Sequence, residues 1–200
     1  ILDFSRSDQS TAPEIDIIEA LSSTTSMLSR TIPESITLDL EPREQQLCAM
    51  FDAAKLDQVI ANLVINAVDA MPNGGTIALA TELKEGVMIR PGAPDNVSER
   101  WICIHVKDNG EGIPRKNLVD VFEPFFTTKA RGMGTGLGLA QVYGIVQQQG
   151  GDISVQSEVD VGTTFTLFLR PTPDQKLEIT RTPRTIPNTL ATNSKDHLVL

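Results

Sequence analysis

The stretch from Ala53 to Met71 constrains the fold more than any other. On a helical wheel of about 100° per residue, Leu56, Ile60, Leu63, Val64, Ala67 and Met71 fall on one side, while Lys55, Asn62, Asn66 and Asp69 gather within about 60° on the other. Asp52 stands where an N-cap is needed, and Pro72-Asn73-Gly74-Gly75 ends the run in a turn. One side must therefore pack on a layer, and the other must face solvent or a ligand. A solvated face is the plain alternative. Such faces favour Glu, Lys, Arg and Gln, however, whereas Asn and Asp compete for backbone hydrogen bonds in mid-helix. Two carboxamides and a carboxylate in this pattern suggest a ligand-facing stripe. A carboxamide oxygen is a hard neutral donor suited to Mg2+, which takes its remaining ligands from phosphate and water.

The rest of the chain supplies strands and two further helices. Ile18, Leu21, Thr25 and Leu28 recur at helical spacing and predict a helix ending near Arg30. Ile36, Leu38 and Leu40 alternate with polar residues up to Glu41-Pro42, and a shorter strand covers Leu47 to Met50. Strands are expected over 76–83 and 101–107, separated by a loop that reads as a hairpin extension. A helix over 137–149 carries Leu139, Val142, Tyr143 and Val146 on one face, with Gly150 as its stop. Strands over 152–157 and 163–169, joined at Asp160 to Gly162, complete the pattern.

Three further segments carry chemistry. Asp108 ends an alternating strand immediately before Asn109-Gly110-Glu111-Gly112-Ile113-Pro114. A carboxylate there can accept a hydrogen bond from an exocyclic amine such as adenine N6, and the glycines allow the backbone close to a flat base. A plain Asp-Asn-Gly turn is the competing reading. Gly132, Gly134, Gly136 and Gly138 alternate directly ahead of a helix, with Thr135 and Leu137 among them. Open backbone N–H groups at a helix N-terminus form an anion site, so di- or triphosphate binding is the natural reading. A flexible linker seldom feeds straight into an amphipathic helix. No Gly-Lys-Ser/Thr follows, so the pattern is not a P-loop. Between these two segments lie Phe122, Phe125 and Phe126, placed to anchor one end of a mobile lid that begins with a short helix near Pro114. Thr127, Thr128, Lys129 and Arg131 would then swing toward phosphate.

Composition narrows the partners. A formal net charge of −9 argues against nucleic-acid or anionic-membrane partners, so a polyanionic ligand must meet local cations such as Lys129 and Arg131. Cys48 and Cys103 have no metal-ligand spacing and read as two reduced core cysteines of a cytoplasmic domain. No apolar run reaches the roughly 20 residues that span a bilayer, and a membrane anchor elsewhere in a longer parent is compatible with this. His105 reads as a satisfied strand histidine, and His197 falls in the tail.

In order and spacing, Asn62 to Met71, Asp108 to Pro114, Phe122 to Lys129 and Gly132 to Leu139 resemble the asparagine, first glycine, phenylalanine and second glycine boxes of sensor histidine kinases. Gly162-Thr163-Thr164-Phe165 resembles the final glycine box. The resemblance covers 13–170. It implies an α/β (α+β) two-layer sandwich in which a mixed, mostly antiparallel sheet backs onto three helices, with a mobile ATP lid. ATP and Mg2+ are the implied cofactors. Asn66 is implied as the Mg2+ ligand, with Asn62 and Asp69 nearby and Ala70 at the end of the same helix. Asp108 would take adenine N6, and Gly110, Gly112 and Ile113 would shape the base pocket. Thr127, Thr128, Lys129, Arg131, Gly132, Gly134, Thr135, Gly136, Leu137 and Gly138 would meet phosphate, and Thr163 would support the adenine side. Asn62 and Lys129 are the implied catalytic pair.

The resemblance further implies transfer of the γ-phosphate to a histidine on a dimerisation and phosphoacceptor domain of the parent chain, as an ATP-dependent protein-histidine kinase of a two-component system. A response regulator or receiver domain would be the next partner, and the parent a homodimer. Ile1 to Arg6 is similar to the end of a dimerisation helix, with a linker through residue 12. Residues 171–200 read as a linker in which His197 to Leu200 would open a receiver strand. Related ATPases usually carry a glutamate one turn before the metal-binding asparagine. Asn62 stands there instead, and it has no basic group to activate water. The reading from another class is a non-catalytic ATP-sensing or docking module.

Overall fold

A computed structural model of the chain describes residues 13–43, 46–85, 100–128 and 134–173. The expected dimerisation-helix end, the hairpin extension beyond Glu85, and the tail with His197 lie outside the described residues. Apolar periodicity becomes structure in the order β1 (Glu14–Asp16), α1 (Ile17–Leu28), β2 (Ile36–Pro42), β3 (Cys48–Met50), α2 (Ala53–Asp69), β4 (Gly75–Glu85), β5 (Arg100–Asp108), a 3-10 turn (Arg115–Asn117), α3 (Gly138–Gln148), β6 (Asp152–Glu158) and β7 (Gly162–Leu169).

The main sheet runs β2-β4-β5-β7-β6. β2 lies parallel to β4, whereas every other pairing in it is antiparallel. Strand alternation sends Ile77, Leu79, Ile104, Val106, Phe165 and Leu167 to one face, where they join Leu21, Leu56, Ile60 and Val146 of the helices in one core. This is the expected two-layer sandwich of a mixed, mostly antiparallel sheet backed by three helices.

On the other face, Glu82, His105 and Thr166 come into line. His105 Nε2 meets Glu82 Oε1 at 2.8 Å and its Nδ1 meets Thr166 Oγ1 at 2.9 Å, so this histidine is satisfied within the sheet. Cys48 and Cys103 are reduced thiols, and Cys103 is buried as expected. Cys48 is only half-buried. Burial first, then the nearby Asp16 and Glu14 carboxylates, push its thiol pKa up.

Some expectations need correction. The sequence hides β1, because three residues cannot display an alternation; it pairs with β3 in a second, two-stranded sheet. The α2 helix stops at Asp69 with Ala70 as its cap, and Met71 packs in the core from the turn beyond. Tyr143 does not face the core: it is 43% exposed, and Ile145 takes the buried place beside Val142 and Val146. The spacing of α3 located its apolar side but not which edge of that side the sheet covers.

Candidate functional site

Asp108 is the last residue of β5 and points to the helical side of the sheet, where it is 4% exposed. Its Oδ1 accepts the Gly110 N–H at 2.9 Å and the Thr163 N–H at 3.2 Å. Burial raises its pKa, the two backbone hydrogen bonds work against that, and the balance leaves it above the ordinary aspartate value. With Oδ1 engaged by donors, Oδ2 remains as the acceptor a ligand would meet.

The glycine turn after Asp108 is clamped from both sides. On the α2 side, the Glu111 N–H donates to Ala70 O at 3.0 Å, and a Cβ on Gly110 would lie 2.6 Å from the same oxygen. Asn109 Oδ1 accepts the Thr76 N–H at 2.9 Å, holding the turn to β4. On the β6–β7 side, the Asp160 N–H donates to Glu111 O at 2.9 Å, and the Ile113 N–H donates to Ser157 Oγ at 2.7 Å. Gly112 has φ +70 and its Cβ would sit 2.1 Å from Glu158 O, so a side chain there is excluded twice over.

The asparagine stripe and the glycine-led helix meet. A Cβ on Gly138, the first residue of α3, would lie 3.7 Å from Asn62 Oδ1 and 3.9 Å from Asn66 Nδ2. The α2 stripe therefore borders the N-terminus of α3. Leu137 provides no side-chain cap there, and its carbonyl first receives the N–H of Gln141. The N–H groups of the opening turn thus have no intrahelical acceptor and stand ready for an anion. Asp69 lies exposed at the end of α2 and Ala70 caps it.

The segment between the glycine turn and α3 is pinned at its ends. The Phe125 N–H donates to Gly136 O at 2.9 Å. Both residues adopt left-handed backbone, with φ 67 and φ 65. A Cβ on Gly136 would come within 2.4 Å of the Phe125 carbonyl carbon. Phe122 anchors the segment, its ring 5.6 Å from Tyr143 and 6.3 Å from Phe165. The Phe125 side chain is not part of that anchor, being 74% exposed. Thr127, Thr128 and Thr135 are exposed, and Thr135 Oγ1 accepts the Leu137 N–H at 3.3 Å. Lys129, Arg131 and Gly132 lie outside the described residues.

The donor set fits a metal ion that arrives with a phosphate ligand. No group of three or more His, Cys, Asp or Glu able to hold an ion occurs among the described residues, whereas the Asn62 and Asn66 carboxamides border an anion-seeking helix end. A groove of about 250 Å3 lined by Lys107, Asp108, Gln156, Ser157, Glu158, Val161, Gly162 and Thr164 opens at the same end of the sheet. Its lining comes from the end of β5 and the β6–β7 hairpin and includes no residue of α2 or α3, so it is not the space between those helices. Sequence reasoning missed Asn109 and Ser157. Ser157 had one usable signal, its place in the inward phase of a strand whose other inward residues, Ile153 and Val155, are apolar.

Comparison with known proteins agrees with the fold. The family described as histidine kinase-, DNA gyrase B-, and HSP90-like ATPase matches residues 51–173. The sensor kinase CckA of Brucella abortus (strain 2308) is 40% identical over 171 residues, covering 84% of this chain and 18% of the relative. The sensor histidine kinase ZraS of Escherichia coli (strain K12) is 43% identical over 119 residues, covering 59% of this chain and 22% of the relative. The chain thus spans a minor part of the length of these curated relatives. Among solved structures, the catalytic domain of histidine kinase ThkA in a nucleotide-free form superposes with TM-score 0.63 at 26% identity, covering 79% of this chain and 94% of that one. A mycobacterial sensor histidine kinase, MprB, gives TM-score 0.61 at 25% identity, covering 80% and 99%.

Proposed function

Because the chain belongs to the histidine kinase-, DNA gyrase B-, and HSP90-like ATPase family, we propose that it binds Mg-ATP among α2, the glycine turn and the start of α3, and presents the γ-phosphate to a histidine on a dimerisation domain. The observation that carries this reading is the meeting of Gly138 with Asn62 and Asn66, on the same helical side of the sheet as the buried carboxylate of Asp108. It supplies an anion-seeking helix end beside two carboxamides, together with an acceptor for a base amine.

Each residue then has a role. Asp108 Oδ2 accepts from the exocyclic amine of adenine, with Thr163 beside it and Gly110, Gly112 and Ile113 framing the base. Asn66, with Asn62 and Asp69 nearby, offers oxygen to Mg2+, which neutralises phosphate charge when bound. Gly132, Gly134, Thr135, Gly136, Leu137 and Gly138 line the phosphate cradle at the start of α3, and Thr127, Thr128, Lys129 and Arg131 add donors and charge. Transfer is positional: an imidazole nitrogen attacks the γ-phosphorus in line as the bond to the ADP oxygen breaks. Hydrolysis is disfavoured, since Asn62 offers water no base. The acceptor histidine would come from a dimerisation domain of a homodimeric parent in the cytoplasm, and the phosphoryl group would pass on to a response regulator or receiver domain. The relatives named as sensor kinases support this place in two-component signalling.

Calorimetric titration with Mg-ATP, with Asp108→Ala alongside, tests the binding half. Saturable binding abolished by the substitution is expected. Supplying a histidine-bearing helical domain then tests transfer: acid-labile phosphohistidine is expected. Binding without transfer would leave a non-catalytic ATP-sensing or docking module.

A further inference from the structure

Ser157 sits on β6 directly opposite Thr163 of β7, on the helical side of the sheet. Its single hydroxyl makes three contacts: it accepts the Ile113 N–H at 2.7 Å, donates to Gly162 O at 2.9 Å, and lies 2.9 Å from Thr163 Oγ1. A serine hydroxyl has one proton. A carbonyl cannot donate, so that proton goes to Gly162. The contact between the hydroxyls then forms only if Thr163 donates to Ser157. The hydroxyl proton of Thr163 is thereby turned away from any ligand, and what Thr163 can offer is lone pairs. The neighbouring Asp108 offers the same when ionised, through Oδ2, since its Oδ1 already accepts the N–H groups of Gly110 and Thr163.

We propose that Ser157 is a specificity-determining positioning residue, which fixes the base end of the nucleotide site as acceptor-only. The inference rests on the reading that adenine binds at Asp108. An acceptor-only wall receives the two N–H groups of an exocyclic amine and repels a carbonyl oxygen at the same place, which would bring lone pair against lone pair. Without the Ser157 hydroxyl, Thr163 is free to rotate and donate. The wall then tolerates a carbonyl, and the Ile113 strap loses its hold on β6.

The test is calorimetric affinity for Mg-ATP and Mg-ITP, which differ in an amine against a carbonyl, on the whole chain carrying Ser157, Ser157→Ala or Ser157→Thr. The readout is the ratio of the two affinities, which a general loss of stability does not move. The native chain should prefer ATP. The alanine variant should narrow that preference by about tenfold, the scale of one hydrogen bond gained or one buried group left unpaired. The threonine variant, which keeps a hydroxyl, should restore it. An alanine variant that weakens both nucleotides equally, or a threonine variant that fails to restore the ratio, overturns the proposal and leaves adenine binding standing. A native chain that binds neither nucleotide, or both alike, overturns the adenine reading and this inference together.

Discussion

The backbone N–H of Thr163 donates to Asp108 Oδ1 across 3.2 Å, joining β7 to the end of β5 behind the carboxylate that faces the site. Burial raises the pKa of this group more than its two backbone hydrogen bonds lower it. Folded Asp108 therefore keeps its proton to a higher pH than the unfolded chain does. Its contribution to stability is full below the ordinary aspartate value and is lost as pH rises through the raised one. Nucleotide binding runs the other way, because the amine needs an ionised acceptor. ATP affinity should fall as pH drops through the raised value, and Asp108→Asn should bind weakly with no such step. Calorimetry across that range checks this; parallel profiles for the two proteins would deny Asp108 the role.

Gly112 and Gly138 should separate folding from binding. Alanine at Gly112 meets both a left-handed backbone and the Glu158 carbonyl, at 2.1 Å. A loss of at least about 2 kcal/mol is expected from strain and overpacking combined. At Gly138 the added methyl would stand at ordinary contact distance, 3.7 Å from Asn62 Oδ1. Gly138→Ala should therefore keep its melting temperature, yet bind Mg-ATP more weakly because the methyl narrows the space before α3. Thermal melts paired with titrations decide it, and equal losses of stability in both variants would contradict the arrangement.

What could be read in advance follows from how local each signal is. Helix α2 declares itself because seventeen residues repeat one apolar spacing, and Asp52 caps it as expected, accepting the Lys55 N–H at 3.1 Å. Strands β5 and β7 show in their alternation. Contacts made only after strands pair leave no local trace: Asp108 and Thr163 are 55 residues apart, and Ser157 reaches Ile113 across 44. The meeting of Gly138 with Asn62 and Asn66 is equally non-local and leaves no trace in the spacing of either segment. Helical spacing puts Tyr143 on the apolar face of α3, and the clustering of three phenylalanines puts Phe125 in the apolar anchor of the lid. Backbone φ at Phe125 and the rotation of α3 decided otherwise.

Asn66 should govern the metal dependence of binding. If its carboxamide oxygen helps to hold Mg2+, ATP affinity of the native chain should rise when Mg2+ replaces EDTA, and Asn66→Ala should lose most of that increment while keeping its metal-free affinity. Titrations with and without the ion measure the difference. An undiminished increment in the variant would move the metal contact elsewhere. Asn62→Ala should lose less of the increment, since Asn66 is the residue assigned to the ion.

The back of the sheet offers a test of stability that does not touch the site. Burial works to raise the Glu82 carboxyl, but the hydrogen bonds and charges of Lys84 and His105 together outweigh it and hold the pKa below the ordinary glutamate value. Lys84 Nζ lies 2.6 Å and His105 Nε2 2.8 Å from Glu82 Oε1. A depressed carboxyl contributes stability above its unfolded pKa and loses it as pH falls through the folded one. Glu82→Gln should therefore melt below the native protein at neutral pH, and the gap should close in acid, once the native carboxyl is protonated. Melting curves of both proteins from neutral to acid pH would show convergence. A gap of constant size would mean that the glutamine is costly for its shape or hydrogen bonding, with no contribution from the charge it removes.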